Sequence, residues 1–214
     1  MFWSMATHLI DLRARDVIET ARLRLEPWDD SHFEQFARFM RDPAVIRFIR
    51  ADPLDRDRAL EQHERSLDEW ALNGFGKRAV FDADTDAWLG FTELSRVGPG
   101  KGSRDDDIEV GYFVEPSQWG KGIATEAAAA ARDEAFDQTG ILELIGRCRV
   151  ENTASARVLE KVGFRLLRLF QLVDGIVVEV YRLQRADWTG PVSRRVAAVR
   201  DDDRGAGSGY RETG

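Results

Sequence analysis

The stretch Val114–Glu126, VEPSQWGKGIATE, decides how the chain is to be read. Before it, Ile108–Val114 (IEVGYFV) has the β-branched and aromatic content of a strand, which Glu115-Pro116 ends. After it, Ile123–Gln138 is Ala-rich and reads as a helix, with Gly140 in the stop position. Between the two, Gly120-Lys121-Gly122-Ile123-Ala124 opens directly into that helix. Small residues let a ligand approach the backbone, and the first helical amides lack partners and sit at the positive end of the dipole. Such a turn suits an anion such as pyrophosphate. Gly for a tight turn and Ala for helix–sheet packing account for the same residues without any ligand, and both readings stand here. Two other phosphate loops fail. A Walker loop would need Gly where Glu115 stands and Ser or Thr where Gly122 stands. The dinucleotide fingerprint would need Gly at Thr125, after an opening βαβ unit.

Working outward, Ile18–Trp28 alternates Leu23 and Leu25 with Arg22, Arg24 and Glu26, the period of a strand with one buried face. Asp29-Asp30-Ser31 supplies capping chemistry for a helix over His32–Met40, and Pro43 marks a break. A second helix, about Leu54–Leu72, is expected on the surface with Leu60, Leu67 and Trp70 turned inward. Lys77–Phe81 and Trp88–Val97 form a hairpin around Asp82–Asp86, and Gly98–Asp107 reads as a loop. Leu142–Val150 is a strand, Thr153–Lys161 a short helix closed by Gly163, and Phe164–Gln184 two strands joined by Asp174-Gly175. This order predicts an α+β domain, a mixed and mostly antiparallel central sheet flanked by helices. Positions 1–16 read as an N-terminal extension, 17–189 as the domain, and 190–214 as a polar, flexible tail.

Composition narrows the chemistry. With 43% hydrophobic and 32% charged residues in 214 positions, the chain can build a core, and no apolar run reaches the roughly 18 residues of a membrane helix. The first fifteen positions carry Asp11, Arg13 and Arg15 without an apolar segment and small-residue cleavage site, so they do not read as a secretory signal. A net charge of −7 argues against a nucleic-acid partner. Cys148 is the only cysteine and His8, His32 and His63 have no ligand spacing, so no metal site is expected and a reducing cytoplasm fits.

Three blocks together resemble the GNAT acetyltransferase superfamily, and within it the RimJ/RimL-like group: EVGYFV (Glu109–Val114), WGKGIATEA (Trp119–Ala127) and VENTASARVLEKVGF (Val150–Phe164). The opening TARLRLEPW is similar to that group's first strand, so the resemblance spans about Ile18–Asp187. The family usually has Arg or Gln where Trp119 stands, with Gln118 one position earlier. The resemblance implies acetyl-CoA as donor and a primary amine as acceptor, either a protein N-terminus or a small molecule. Trp119, Gly120, Lys121, Gly122, Ile123, Ala124 and Thr125 would form the loop that holds the CoA pyrophosphate. Tyr112, Phe113 and Val114 would pair with the pantetheine arm through their backbone, and Asn152 would contact it. Arg157 and Lys161 would meet CoA phosphates, although a solvated helix face explains them equally. A homodimer, common in the family, would use the C-terminal hairpin.

Transfer from a thioester to an amine needs a neutral nucleophile and a protonated leaving thiolate. An α-amino group, with a pKa of about 7.7–8.0, is partly neutral already, so a weak base acting through water suffices. Glu93, in FTELS beside Phe91 and Val97, is the candidate base; a strand-edge glutamate is its other reading. The resemblance makes Ser155 the candidate acid for the thiolate, against a first-turn residue supporting the Asn152 or Thr153 cap. Tyr112 reads mainly as packing and Cys148 as a small buried hydrophobe. Two functions therefore stand at this point: an acetyl-CoA-dependent N-acetyltransferase, and a non-catalytic acyl-CoA-binding sensor or scaffold with the same fold.

Overall fold

The computed structural model describes residues 16–98, 107–191 and 194–196. Leu23 and Leu25 point into the core with no exposed surface, as their alternation with Arg24 and Glu26 requires. The single strand expected over Ile18–Trp28 is corrected, however, into a hairpin of β1 (Val17–Glu19) and β2 (Leu23–Pro27) that pairs Ile18 with Leu25. The cause lies in Thr20, whose hydroxyl accepts the Leu23 amide at 3.0 Å while its own amide donates to the Leu23 carbonyl at 2.9 Å. A threonine side chain offers the backbone a turn in place of a continued ladder.

Asp29 caps a short helical turn that leads into α1 (Phe33–Phe39), and Asp42 caps α2 (Pro43–Ile46), where Pro43 occupies the first turn. The longer α3 (Arg56–Asn73) starts on the Asp55 cap and stops at Gly74, whose φ of 72° suits glycine. Its buried face is Ala59, His63, Ser66 and Trp70, one turn apart each. Leu60, expected to face inward, is 41% exposed, because the heavier Trp70 sets the helix rotation and leaves Leu60 one residue step off that line. Leu67 packs at the edge of the cluster formed by Trp28, Phe36, Phe39 and Phe91.

Strands β3 (Lys77–Asp82), β4 (Trp88–Val97), β5 (Asp107–Val114), β6 (Glu143–Arg149), β7 (Arg165–Gln171) and β8 (Val177–Gln184) complete the expected set, together with α4 (Ile123–Gln138) and α5 (Thr153–Lys161). Among the described residues they form one sheet ordered β7-β8-β6-β5-β4-β3-β2-β1-β9. The last strand, β9 (Arg194–Val196), pairs with β1, so part of the segment read as a solvated tail extends the sheet edge. Positions 1–15, 99–106, 192–193 and 197–214, which include all but the last residue of the N-terminal extension, the Asp105-Asp106 loop and most of the tail, lie outside the described residues.

Every pairing is antiparallel except β5–β6. That parallel contact is brief: Ile108 meets Leu144, Glu109 meets Ile145, and the strands then part. On one face α4 lies close to the sheet because Ala127, Ala128, Ala130, Ala131 and Ala135 are small enough to be buried against it. The opposite face carries α1 and α3 over Trp28, Ala79 and Phe91. The buried Arg78–Glu134 pair ties β3 to α4 through contacts of 2.8 and 2.5 Å.

Candidate active site

The site begins where β5 leaves β6. From Val110 to Val114 the edge of β5 that faces β6 carries no ladder, while its other edge is fully paired with β4. An exposed row of backbone donors and acceptors is a template for an extended, amide-containing ligand. Val114 is buried, Tyr112 and Phe113 are partly buried, and Phe113 stacks on Phe91 at 4.5 Å. Tyr112 thus turns its backbone toward the split, whereas Phe113 turns its backbone to β4 and lends its ring to the wall.

Immediately beyond β5 the chain makes a short turn over Pro116–Gln118 and reaches the glycine loop. Gly120 and Gly122 have φ of 77° and 81°, a region where a Cβ is strained, and Gly122 is the residue that starts α4. No side chain caps this helix. Among the described residues, no acceptor takes the amides of Gly122, Ile123, Ala124 or Thr125. Uncapped helix amides next to an unpaired strand edge form one continuous donor surface. Trp119 is half exposed and its indole donates to the Val114 carbonyl at 2.7 Å, which pins the loop to the end of β5. Lys121 reaches back to Gln118 Oε1 at 3.0 Å.

The far wall is α5. Asn152 caps it, accepting the Ser155 amide at 3.2 Å, so the capping reading of this segment holds. The Ser155 hydroxyl also lies 2.9 Å from the Tyr112 phenol, which in turn donates to the Ser155 carbonyl at 2.8 Å. The two hydroxyls therefore meet between β5 and α5. Burial pushes the Tyr112 phenol well above its ordinary value, so it remains a proton donor at working pH. Behind them Cys148, 7% exposed, sits 3.6 Å from Glu179 Oε2, and Tyr181 donates to the same oxygen at 3.0 Å. Burial, then the Glu179 charge, pushes the Cys148 thiol up to about 12, the behaviour of an inert buried cysteine.

On the α1/α3 face, Glu93 stands beside Gly111 of β5 and opposite Lys77 of β3. A Cβ at Gly111 would lie 3.6 Å from the Glu93 Cβ and 3.2 Å from the Phe113 ring, so this glycine keeps the space next to Glu93 open. Glu93 is 26% exposed and accepts from Lys77 Nζ at 3.2 Å. Lys77 is buried; it also donates to Ser66 Oγ at 2.9 Å and sits over the Trp28, Phe36 and Phe91 rings. Nearby, burial and then the Glu93 charge raise the Glu69 carboxyl. Lys77 and Glu69 went unseen in the sequence, where only the register of β3 on β4 could have exposed them.

Arg157 and Lys161 stand on the exposed face of α5 and form no ion pair among the described residues, so the structure does not join them to the glycine loop. A basic residue that does reach the loop is Arg22, in the β1–β2 turn. It donates to the Lys121 carbonyl at 2.9 Å and pairs with Glu126 at 2.7 Å. Among the described residues no group of three metal-capable side chains occurs, and no helix is long and apolar enough to cross a membrane.

Comparison with known proteins places this geometry. Residues 22–165 match the family described as "Acetyltransferase (GNAT) domain". The chain is 29% identical over 177 residues to an Aspergillus fumigatus protein named "FsC-acetyl coenzyme A-N(2)-transacetylase", covering 74% of this chain and 69% of that one. It is 32% identical over 158 residues to a Bacillus subtilis protein named "Probable N-acetyltransferase YjcK", covering 72% and 77%. Among solved structures, an acetyltransferase from Agrobacterium tumefaciens superposes with a TM-score of 0.67 at 27% identity, over 78% of this chain and 94% of that one. RimL, an alpha-N-protein acetyltransferase of ribosomal L7/L12 solved with coenzyme A, superposes with a TM-score of 0.66 at 17% identity, over 78% and 97%, a likeness of fold alone.

Proposed function

Because the chain belongs to the GNAT acetyltransferase family and is an acetyl-CoA-dependent N-acetyltransferase, we propose that its reaction runs in the β5–β6 split, with the diphosphate of the cosubstrate on the α4 amides. The observation that carries this is the adjacency of the unladdered edge Val110–Val114 to the uncapped start of α4. Both features fit the group they would hold: one presents an extended row of amides and carbonyls, the other unpaired donors for an anion. When bound, acetyl-CoA supplies the acetyl thioester.

The chain's own residues then have distinct tasks. Gly120, Lys121, Gly122, Ile123, Ala124 and Thr125 bind phosphate through backbone, with Trp119 holding the loop on Val114. Tyr112, Phe113 and Val114 align the pantetheine arm along β5, and Asn152 fixes the first turn of α5 at its side. Ser155 gives its hydroxyl proton to the departing sulfur and regains one from solvent, while the Tyr112 phenol, donating to the Ser155 carbonyl at 2.8 Å, holds the first turn of α5 in place. Glu93, open toward Gly111, takes the proton of the incoming amine through solvent, its carboxylate oriented by Lys77. Arg157 and Lys161 serve the distal phosphate from the outer face of α5.

The acceptor reaches the split from the α1/α3 face, where Glu93 lies. A protein N-terminus or a small molecule with an α-amino group suits this site, since such an amine loses its proton near neutrality. RimL acts on a protein α-amine, which supports the first class. The outer strand β7, with Leu166 and Leu169 exposed, is the surface we assign to self-association, and the cytoplasm the compartment.

The test is a calorimetric titration with CoA followed by thiol release from acetyl-CoA in the presence of peptides, polyamines and aminoglycosides. Saturable CoA binding and amine-dependent thiol release are expected, with release reduced at least tenfold in Glu93→Gln and in Ser155→Ala. CoA binding without release from any amine would instead favour the sensor reading. Folded protein that takes up no CoA would end both.

A further inference from the structure

Glu126 poses an electrostatic problem for the loop just described. It stands in the first turn of α4, four residues after Gly122, where a free carboxylate would occupy the helix's positive end and repel a diphosphate. Its charge is instead absorbed locally. The Thr20 hydroxyl donates to Oε1 at 2.5 Å, the Arg22 amide donates to the same oxygen at 2.9 Å, and Arg22 Nε donates to Oε2 at 2.7 Å. The Arg22 guanidinium extends further, donating through Nη1 to the Lys121 carbonyl at 2.9 Å. Its Nη2 lies 3.4 Å from the point where a Gly122 Cβ would be. The Arg22 side chain keeps 48% of its surface exposed, whereas Glu126 keeps 18%.

We infer that Arg22 is a positioning residue for the diphosphate loop: it neutralises Glu126 and holds the Lys121 carbonyl turned away from the anion. The amides of Gly122–Thr125 then face the ligand without a competing negative charge, and the exposed part of the guanidinium adds a cation at the rim. The turn at Thr20-Ala21-Arg22 is where β1 and β2 touch the start of α4, through Thr20 and Arg22 on Glu126. The inference rests on the diphosphate site proposed above and concerns which residues tune it.

A double-mutant cycle separates charge from bracing. CoA dissociation constants and melting temperatures are measured for wild type, Arg22→Gln, Glu126→Gln and the combined variant, with Arg22→Lys added. Arg22→Gln is expected to weaken CoA about tenfold or more, because it leaves Glu126 uncompensated beside the anion. In steady state it raises KM for acetyl-CoA more than it lowers kcat. The combined variant recovers to within about threefold of wild type, because the repelling carboxylate is gone. Arg22→Lys lies between, keeping charge without the planar fork. The inference is overturned if Arg22→Gln binds CoA like wild type, or if the combined variant is as weak as Arg22→Gln at an unchanged melting temperature. Absence of CoA binding in folded wild type would instead strike the diphosphate site itself.

Discussion

The Tyr112 phenol and the Ser155 hydroxyl share a 2.9 Å hydrogen bond that joins β5 to α5 beside the divergence of β5 and β6. Tyr112 pairs with Thr92 on its β4 side and Ser155 lies in α5, so the bond is a side-chain latch across the open edge of β5, where the proposed reaction would release its thiolate. Ser155→Ala should lower kcat by about 10²–10³ while leaving KM for acetyl-CoA within a few fold, the pattern of a group that acts in the chemical step. Tyr112→Phe should cost less, since it removes only a hydrogen bond that holds the first turn of α5 and leaves the donor. Steady-state kinetics with both substrates varied decides the matter.

A second test concerns Lys77 and Glu93. Removing Lys77 leaves a partly buried carboxylate without its ammonium, so Lys77→Met should cost about 1–3 kcal/mol in urea unfolding and also impair kcat. Adding Glu93→Gln to that variant should restore part of the stability but none of the activity. Equal stability loss in the single and double variants would show that the aromatic surroundings of Lys77, and not its charge pair, hold the site.

The Arg78–Glu134 pair is among the most buried ion pairs of the fold, with side chains 1% and 2% exposed. Glu134→Ala should destabilise the protein by about 3–5 kcal/mol, because the guanidinium stays buried without its counter-charge. Replacing both residues by apolar ones of similar volume should cost far less. Denaturant unfolding of the three proteins measures the difference.

Thiol chemistry gives a simple check. With the Cys148 thiol pushed up to about 12, native protein at pH 8 should react with iodoacetamide at least about a hundredfold more slowly than urea-unfolded protein. The stability tied to this thiol is complete below the unfolded value near 8.5 and is lost as pH rises toward 12. Rapid native alkylation would mean that the packing over Cys148 opens.

Acid sensitivity should trace to Glu126. Burial alone would raise its carboxyl, but the hydrogen bonds from Thr20 and Arg22 outweigh that and hold it below the ordinary value. A depressed carboxylate contributes stability that is present above its unfolded pKa, about 4.3, and disappears as pH falls through the lower folded value. Melting temperatures between pH 3 and pH 6 should fall less steeply for Glu126→Gln than for wild type.

Much of this architecture was legible in the sequence because its signals are local. The alternation around Leu23 and the Asp174-Gly175 turn each act within a few residues. The glycine loop was legible for the same reason, since the chemistry of a helix start depends on consecutive amides. What escaped depends on contacts between distant positions. Arg22 meets Glu126 across 104 residues, and periodicity around Arg22 predicts only an outward strand residue. Lys77 opens a strand in the sequence, and only the pairing with β4 and the packing of α3 set it against Glu93 and Ser66. Leu60 misled because hydrophobicity counts residues, whereas a helix turns its widest side chain to the core first.

The brief contact of β5 with β6 has a consequence for how this enzyme can diverge. In the proposed reading recognition there is written in peptide units, which every amino acid carries alike, so substitutions at Phe113 and Val114 can recolour the walls without erasing the groove's grammar. In the proposed reading, acceptor preference is instead composed from side chains on α1 and α3, which cover the face that carries Glu93. Selection is thus free to trade one recipient for another while the donor stays the same.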